Sequence, residues 1–589
     1  MPSVAVSAID EDGYVYLAAC FTQNVTIVKD NSQNHVPDVH ILESKGGLDV
    51  VVLKYASNGT TLWQTTVGGP QNDCAHSVTV SNGNVWIAGH FSGMIEFGNS
   101  STVNPLVSAG TIDGFLVKLS AAEGLVSAAQ GIGGTGESKV SSVVVRGSTG
   151  YAVGSFTQEA KFGPISLISP TAAVDDSLCS SFLAKFETSL GFFLQAKVLL
   201  HGGQGNNTVN SISLDDSGKH LYVGGSFISG DDVSKPSYAG SLGSQDDNQI
   251  ALRGCSHTWG LVAKVLTISL KTLWAIPTGT CFGSVSSVAS DSSDNIIVAG
   301  DFFGQMKISD DDSIVSGHYK KGYALKLSPQ GVPIWSFSLD AVSKLSDKVV
   351  TSLATNGENV LALTSSDRAY TYRRIVSYGD VIESYIVANG SHLNLPIYSQ
   401  VISLNESVAY ISGQFQGTQV SFGNETLDSS TVANATTQSI FLASVRNVVQ
   451  AMPSPPPPVP SPPPPPSPFP PPPSPPPSPP SPPPPPPSPP PLPPTIIYSY
   501  AAASPFPQFI PQKSNDDDKS FGYVFGIMMF VVALIFSFFI LFFLPRFFKS
   551  HHKHKNDDTE QHKGELERDN PLYTDNPLHL TTNQTVEYL

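Results

Sequence analysis

Residues 77–91 read SVTVSNGNVWIAGHF, and altered copies of this stretch recur along residues 1–450. The first part alternates apolar and polar residues; the second follows a turn and ends in Ala-Gly or Gly-Gly, a polar residue and Phe. Alternation on both sides of a turn predicts a β-hairpin. The alternation recurs at residues 3–6, 77–80, 143–145, 212–214, 285–289, 351–354 and 401–404. The second part ends at Phe21, Phe91, Phe156, Phe227, Phe302 and Phe415, with a degenerate copy near Ser366.

Two further elements complete each repeat. A motif of the form F-L-V-K-L occurs as VVVLKY, FLVKLS, FLAKFE, LVAKVL, YALKLS, YRRIVS and FLASVR. A G-x-x-x-W element occurs at Gly59–Trp63 and at Gly331–Trp335, and a glycine-rich segment follows it. Each repeat therefore offers four short β-runs, and we predict an all-β, seven-bladed β-propeller over residues 1–450. An open β-solenoid is the alternative, which irregular spacing and the copy number disfavour.

Together these motifs resemble the SBBP-type β-propeller repeat of extracellular and cell-surface proteins, over nearly all of residues 3–449. The resemblance implies a fold and a binding scaffold, with no fixed ligand, cofactor or catalytic residue. The sixth copy departs most from the pattern, because Asp367-Arg368 and Arg373-Arg374 stand at positions expected to be small and apolar.

Composition divides the chain after the repeats. Residues 451–520 form a proline-rich stalk and juxtamembrane linker, in which residues 453–494 repeat Ser followed by two to six Pro. Such sequence adopts polyproline II at about 3.1 Å per residue, so this stretch reaches on the order of 130 Å. The net charge of −16 excludes the basic footprint of a nucleic-acid binder, and we expect no nucleic-acid partner.

Residues 521–544 carry no charge over 24 positions, enough for one transmembrane α-helix. Asp516, Asp517 and Asp518 precede this segment, and Arg546 and Lys549 follow it, so the positive-inside rule predicts a type I protein of the plasma membrane with residues 545–589 as a cytoplasmic tail. Export needs a signal peptide, and the sequence begins inside a repeat without one, so we expect the signal peptide to be absent from this sequence.

Eight N-x-[ST] triplets in the repeat region support export, because they are acceptors for N-glycosylation. The predicted glycosylation sites are Asn24, Asn58, Asn99, Asn206, Asn389, Asn405, Asn424 and Asn434.

The cysteines and acidic turns leave alternatives open. Cys255 and Cys281 could form a disulfide outside the cell or remain buried thiols. Neither Cys nor His residues show metal-ligand spacing, so no metal and no cofactor is predicted. Acidic runs begin at Asp10, Asp215 and Asp310; they suit ordinary hairpin turns better than calcium loops.

The tail is acidic and polar, which predicts disorder, and it contains one short motif. Asn570, Pro571, Leu572 and Tyr573 form an NPxY sequence. Asn-Pro favours a β-turn that presents the tyrosine. The motif resembles those by which integrin β-tails and endocytic receptors bind PTB or FERM-type adaptors, which implies a cytoplasmic adaptor as partner.

These features predict a cell-surface receptor or adhesion protein whose propeller binds an extracellular ligand: a glycan, a matrix component or a neighbouring cell. We see no catalytic constellation of Ser/His/Asp or paired carboxylates and predict that the chain is not an enzyme. The alternative is a membrane-anchored extracellular glycan-active enzyme, which acidic or arginine residues converging on one face of the propeller would support.

Overall fold

A computed structural model describes most of the repeat region and a short piece of the tail. The described residues are 5–29, 38–98, 102–170, 175, 177–229, 236–240, 249–252, 256–278, 282–308, 313–317, 320–339, 350–355, 359–365, 369–376, 381–389, 401–405, 408–416, 419–422, 425–428, 438–446 and 583–588. These residues contain β-strands and no α-helix, which confirms the all-β prediction.

The strands form consecutive antiparallel meanders, numbered here 1 to 7 along the chain. Meander 1 consists of β1 (Ala5–Ile9), β2 (Val15–Lys29), β3 (Asp38–Tyr55) and β4 (Thr61–Gly68). Meander 2 consists of β5 (Asp73–Ser81), β6 (Asn84–Phe91), the hairpin β7 (Met94–Phe97) and β8 (Leu106–Val107), then β9 (Asp113–Ser120) and β10 (Val126–Gly133). Meander 3 consists of β11 (Ser138–Arg146), β12 (Thr149–Phe156), the hairpin β13 (Glu159–Phe162) and β14 (Ile165–Ile168), then β15 (Ser180–Glu187) and β16 (Phe193–Gly202).

The later meanders follow the same order. Meander 4 consists of β17 (Thr208–Leu214), β18 (His220–Phe227), the hairpin β19 (Ser237–Ala239) and β20 (Ile250–Leu252), then β21 (Trp259–Leu266) and β22 (Lys271–Pro277). Meander 5 consists of β23 (Ser284–Ser290), β24 (Ile296–Phe302), the hairpin β25 (Gln305–Lys307) and β26 (Ser313–Val315), then β27 (Lys321–Leu327) and β28 (Pro333–Leu339). Meander 6 consists of β29 (Val350–Thr355), β30 (Asn359–Ser365), β31 (Ala369–Val376) and β32 (Val381–Asn389). Meander 7 consists of β33 (Val401–Asn405), β34 (Val408–Gln416), the hairpin β35 (Gln419–Phe422) and β36 (Glu425–Asp428), then β37 (Gln438–Arg446).

The small hairpins link neighbouring meanders. In meanders 2, 3, 4 and 7 the hairpin after the second strand pairs with the fourth strand of the preceding meander: β7 with β4, β13 with β10, β19 with β16 and β35 with β32. Each added hairpin covers an edge that would otherwise present unpaired backbone groups.

Serines of the first strands contact strands of neighbouring meanders. The Ser77 hydroxyl accepts a hydrogen bond from the Val143 amide at 3.1 Å, and the Ser211 hydroxyl accepts one from the Val288 amide at 3.1 Å. Ser7 lies 3.0 Å from Ser412 (Oγ to Oγ), which links the first meander to the last. Ser in the alternating motif therefore holds neighbouring meanders together.

The lysine of the third motif has the same kind of role. Lys54 Nζ donates to the Ala121 carbonyl of the next meander at 2.9 Å, and Lys264 Nζ donates to the Pro329 carbonyl at 3.1 Å. The ammonium of Lys264 also lies over the Tyr222 ring of its own meander, 5.3 Å from the centroid. Burial lowers the pKa of Lys264, and these partners compensate the buried charge.

Meander 6 keeps this register with a different cation. Ile297 pairs with Lys326 in meander 5, and Leu361 pairs with Arg374 at the corresponding position of meander 6. In register, Arg374 therefore stands at the position of the repeated lysine, although the sequence pattern suggested a position expected to be small and apolar.

The positive-φ turn that opens the G-x-x-x-W element recurs in meanders 1 to 5, also where the tryptophan is absent. Gly59, Gly124, Gly191, Leu270 and Gly331 all have positive φ at the turn between the third and fourth strands. Leu270 takes this conformation without being glycine (φ 55°), which hides its copy from a search for G-x-x-x-W.

The end of the predicted disordered tail differs from expectation. Asn583–Tyr588 forms β38, which pairs in parallel with both β2 and β37. Meander 7 has three strands of its own in the described residues, and β38 occupies the position of a fourth. The prediction that the whole tail is disordered is therefore wrong for these six residues. Backbone groups of β37 that would otherwise lack a strand partner favour pairing with an added strand.

Several predictions fall on residues that the structure does not describe. Among the described residues, none belongs to a helix long and apolar enough to cross a membrane. The predicted transmembrane segment 521–544, the stalk 451–520 and the NPxY motif lie outside the described residues.

Candidate ligand-binding surface

The two ends of the meanders differ in their connections. Because successive strands run antiparallel, the turns between first and second strands and between third and fourth strands share one end, called here the turn end. The loops between second and third strands and the links to the next meander share the other, called here the loop end. Residues 278–283 and 68–73 are links of this second kind.

Carboxylates at the turn end cap their own turns. Asp10 Oδ1 accepts a hydrogen bond from the Tyr14 amide at 2.8 Å, and Asp215 Oδ1 accepts one from the Lys219 amide at 2.9 Å. The acidic runs at Asp10 and Asp215 are therefore hairpin turns and not calcium loops, because their carboxylates already accept backbone hydrogen bonds. The run at Asp310 lies outside the described residues.

The glycine pairs after the fourth motif make room for buried carboxylates at the loop end. A Cβ on Gly68 would lie 2.2 Å from Asp49 Oδ1, and a Cβ on Gly133 would lie 1.8 Å from Asp113 Oδ2. Asp49 and Asp113 are the third-strand register partners of the motif phenylalanines, Phe21 and Phe91. Any larger residue than glycine would therefore displace the carboxylate.

Burial changes the protonation of these carboxylates. Burial raises the pKa of Asp49 to about 6, against the lowering effect of the Lys45 and Gly69 amides. Burial raises the pKa of Asp73 to about 7, and the nearby charge of Asp49 raises it further. Both carboxylates are too buried to touch a substrate, with exposed fractions of 1% and 0%.

A disulfide and two histidines occupy the same junction. Cys20 and Cys74 are joined, with their Cα atoms 5.3 Å apart, which connects β2 of meander 1 to β5 of meander 2. His76 Nε2 lies 2.6 Å from His90 Nδ1. Burial lowers the pKa of His76 to about 4 and that of His90 to about 3, so both rings are neutral at pH 7.

Sequence reasoning missed the disulfide, because the pairing depends on which strands of neighbouring meanders face each other. The pair considered from the sequence, Cys255 and Cys281, lies outside the described residues and stays a prediction.

An exposed aromatic cluster lies at the loop end between meanders 4 and 5. The rings of His257 and Phe282 are 3.9 Å apart (centroid to centroid), and Phe303 lies edge-on to Phe282 at 6.0 Å. Phe282 and Phe303 keep 43% and 39% of their surface exposed. Trp259, partly buried beneath, packs against Phe227 at 6.4 Å. Contiguous exposed rings of this kind are typical of binding surfaces.

Local backbone structure positions the cluster. Phe282 has a φ of 66°, which is unfavourable for a bulky side chain and persists where surrounding structure holds it. The Gly283 amide donates to the Thr258 carbonyl at 3.0 Å, which ties the two loops together. This arrangement presents the Phe282 ring to solvent and to His257.

A polar group adjoins the rings. Asp301 is bonded by the Ser284 hydroxyl and forms an ion pair with Lys320. Asp301 precedes Phe303 by two positions and is buried, with 7% of its surface exposed, whereas the Lys320 side chain keeps 38%. Exposed aromatic faces can pack against the C–H face of a sugar ring, and an ammonium can bond its hydroxyls.

Differences between the copies of the repeat could have predicted this cluster from the sequence. Phe303 follows the motif phenylalanine, where the other copies have Thr22, Ser92, Thr157 and Ile228. Trp259 pairs with the motif phenylalanine of its meander, where Asp49 and Asp113 stand in meanders 1 and 2. Comparing what varies between repeats, instead of what recurs, would have found both residues.

The predicted glycosylation sites are dispersed. Asn58 and Asn206 are exposed, and their side-chain oxygens accept backbone amides at 3.1 Å and 3.0 Å. Asn24 lies within β2 opposite Glu43, whereas Asn389 and Asn405 end strands β32 and β33. The remaining sites, Asn99, Asn424 and Asn434, lie outside the described residues.

Comparisons with known proteins agree with the fold class. No family model and no curated protein matches the chain. The structure titled Dos1 propeller is 11% identical, covers 72% of this chain and 91% of its own, with a TM-score of 0.37. The WD40 domain from Toxoplasma gondii coronin is 9% identical, with coverages of 73% and 84% and a TM-score of 0.37. Kuenenia stuttgartiensis hydrazine synthase is 8% identical, with coverages of 69% and 92% and a TM-score of 0.37.

These neighbours are propeller-like, and they are too distant to transfer a ligand or an activity. The strand order of this chain is therefore the evidence for its architecture, a β-propeller-like domain.

The prediction that the chain is not an enzyme is corrected. The matched structures include hydrazine synthase and a europium-containing methanol dehydrogenase, so chains named as enzymes occur among these neighbours. The absence of a familiar catalytic constellation in the sequence was too narrow a ground for excluding catalysis.

Proposed function

We propose that this chain is a single-pass type I cell-surface receptor or adhesion protein whose seven-bladed, SBBP-type propeller binds an extracellular glycan at the aromatic cluster. The seven meanders and the contact between Ser7 and Ser412 support the blade number. The uncharged segment 521–544 and its basic C-terminal flank support the membrane topology.

The single observation that carries the ligand proposal is the exposed pair Phe282 and Phe303. Burying two exposed aromatic rings on a ligand is favourable, and each ring can contribute substantially to affinity. The ammonium of Lys320, which is partly exposed and pairs with the buried Asp301, supplies donors for hydroxyl groups. A sugar ring, with one C–H face and a polar rim, matches this combination better than a purely apolar ligand.

A glycan array probed with the full chain in detergent tests this proposal. Wild-type protein should bind a restricted set of glycans, and Phe282→Ala or Phe303→Ala should weaken binding about 10-fold or more. Phe192→Ala is the matched control, because Phe192 is an exposed aromatic (55%) at the turn end of meander 3. Equal binding by all four proteins would refute the assignment. Release of a cleaved product from a bound glycan would assign the chain to the enzyme class.

Membrane topology needs its own test, because β38 pairs with strands of the propeller. A tail on the far side of a membrane cannot reach that sheet, so the proposed topology requires β38 to leave the sheet when the chain is inserted in a membrane. Thr26 and Thr585 are register partners in β2 and β38. With Thr26→Cys and Thr585→Cys in the full chain, we expect no cross-link in intact cells. External protease should then remove an amino-terminal tag and spare a carboxy-terminal one; a cross-link or the reverse cleavage would overturn the topology.

The tail proposal rests on the NPxY sequence alone. A pull-down from cell lysate with a peptide of residues 546–589 should retain PTB- or FERM-type proteins, and Tyr573→Ala should lose them. Identical retained proteins would leave the motif without a role. Asn576→Ala, in the neighbouring Asn-Pro-Leu-His sequence without tyrosine, is the matched control.

A further inference from the structure

The junction between meanders 7 and 1 is completed by a strand from a distant part of the chain. At four other junctions a small hairpin pairs with a fourth strand that directly follows its own third strand: β7 with β4, β13 with β10, β19 with β16 and β35 with β32. At the junction of meanders 7 and 1, β38 holds the fourth-strand position, and residues 447–582 separate it from β37. No short connection therefore ties this strand to its neighbours.

Meander 1 has an extension that reaches this position. Its second and third strands, β2 and β3, span 15 and 18 residues, whereas the second and third strands of meanders 2, 3 and 4 span 8 residues each. The added part of β2 begins after a register shift between Thr22 and Asn24. It pairs with β3 on one side and with β38 on the other. This extension therefore does what the small hairpins do at the other junctions.

Backbone pairing holds β38 on both of its edges. Residues 24–27 of β2 are in register with residues 583–586, and residues 439–442 of β37 are in register with residues 585–588. Both pairings are parallel, so β2 and β37 run in the same direction on either side of β38. Neighbouring strands lie about 4.8 Å apart, so the two flanking strands face each other across about 10 Å.

We call the gap between residues 24–27 and residues 439–442 the strand slot. Val25, Ile27 and Ile440 are fully buried beside it. Without an inserted strand, the backbone N–H and C=O groups of both walls that face the gap would lack their strand partners, which is unfavourable. The slot is therefore built to hold one extended segment.

We propose that the strand slot is a peptide-binding site, in which an extended segment of an extracellular protein replaces β38 and pairs in parallel with β2 and β37. This inference rests on the proposed membrane topology, because that topology removes β38 from the sheet. Main-chain hydrogen bonds to two strands would supply the affinity. The register position of Val586 lies between Ile27 and Ile440, so we expect an apolar residue there and no proline.

Binding of a fluorescent peptide of residues 581–589 to the full chain in detergent tests the slot. Val586 has a register partner on both sides, so Val586→Pro in the chain removes a ladder hydrogen bond whichever way its amide points. This variant should bind the peptide at least about 10-fold more tightly than the wild type, whose own β38 competes at a high effective concentration. His579→Pro, outside β38, is the matched control and should bind like the wild type.

Disulfide trapping shows where the peptide binds. Thr26 and Thr585 are register partners. A chain with Thr26→Cys and Val586→Pro should therefore cross-link to a peptide that carries Thr585→Cys. A peptide that carries Gln584→Cys should not cross-link, because successive residues of a strand point to opposite faces. Equal cross-linking of both peptides would overturn the proposed register and the slot with it.

The remaining outcomes separate the slot from the topology. Equally weak peptide binding by Val586→Pro and wild type in detergent would overturn the slot and leave the topology standing. In lipid nanodiscs the wild type, without any substitution, should bind the peptide as tightly as Val586→Pro does, because its tail lies across the membrane. Binding by Val586→Pro alone in nanodiscs would show that β38 stays in the sheet, which would overturn both the topology and the proposed exchange for an extracellular segment.

Discussion

The turn end and the loop end of the same meanders use their side chains differently. At the turn end, Lys54 and Lys264 bond carbonyls of the next meander, and Asp10 and Asp215 cap their own turns. At the loop end, one register position holds Asp49 and Asp113 in meanders 1 and 2, but Ser180 and Trp259 in meanders 3 and 4. The repeated chemistry maintains the fold, and the variable chemistry is where we expect function.

The largest expected effect comes from the disulfide at the loop end. The Cys20–Cys74 bond closes a separation of 54 residues, so Cys20→Ala with Cys74→Ala should lower the free energy of unfolding by about 2–4 kcal/mol. Denaturant unfolding under oxidising conditions measures this loss. Cys179→Ala, at a free and partly buried cysteine, is the control and should cost at most about 1 kcal/mol. Equal losses would show that the bond contributes nothing beyond side-chain packing.

The repeat motifs predicted the strands because alternation and turn residues are local properties. They did not predict the roles of Lys54 or Ser77, since each bonds a neighbouring meander distant in sequence. Leu270 concealed a turn because positive φ is a backbone state, not a residue type. The aromatic cluster was missed because Phe282 and Phe303 interrupt the repeat and were absent from the pattern.

A double-mutant cycle at the turn end should show strong coupling. Lys54 Nζ and Trp63 Nε1 both donate to the Ala121 carbonyl, at 2.9 Å and 3.1 Å. Either Lys54→Met or Trp63→Phe leaves one donor, and each should cost about 1 kcal/mol. The double variant leaves the carbonyl without either donor, so we expect an extra loss of about 1–3 kcal/mol beyond the sum. Additive losses in urea unfolding would contradict a shared role.

The histidine pair predicts that the stability of the folded chain depends on pH in the acidic range only. Folding lowers the pKa of His90 to about 3, so below about 6.5 the unfolded chain takes up protons that the folded chain does not. Stability should be complete above pH 6.5 and fall as the pH drops toward 3. The raised pKa of Asp73 acts in the opposite direction, so the effect is measured as the Tm difference between wild type and His90→Gln across pH 4–7.5. A constant difference would contradict the assignment.

The smallest effect on stability should come from substitution of an exposed glycosylation site, because such a residue lies outside the core. Asn58 is exposed in a turn at the turn end, whereas Asn24 lies inside β2 and is the register partner of Glu43 in β3. A bulky glycan fits on the exposed turn at Asn58 but would disturb the pairing of Asn24 in β2, so folded chains should carry a glycan at Asn58 and none at Asn24. In secretory expression, Asn58→Gln should therefore lose one glycan by mass spectrometry, while Asn24→Gln should leave the glycan mass unchanged. The Tm of the Asn58 variant, measured after enzymatic deglycosylation, should stay close to that of the wild type because a surface turn residue contributes within about 0.5 kcal/mol. An unmodified Asn58 in chains recovered from the cell surface would show that this turn is shielded there.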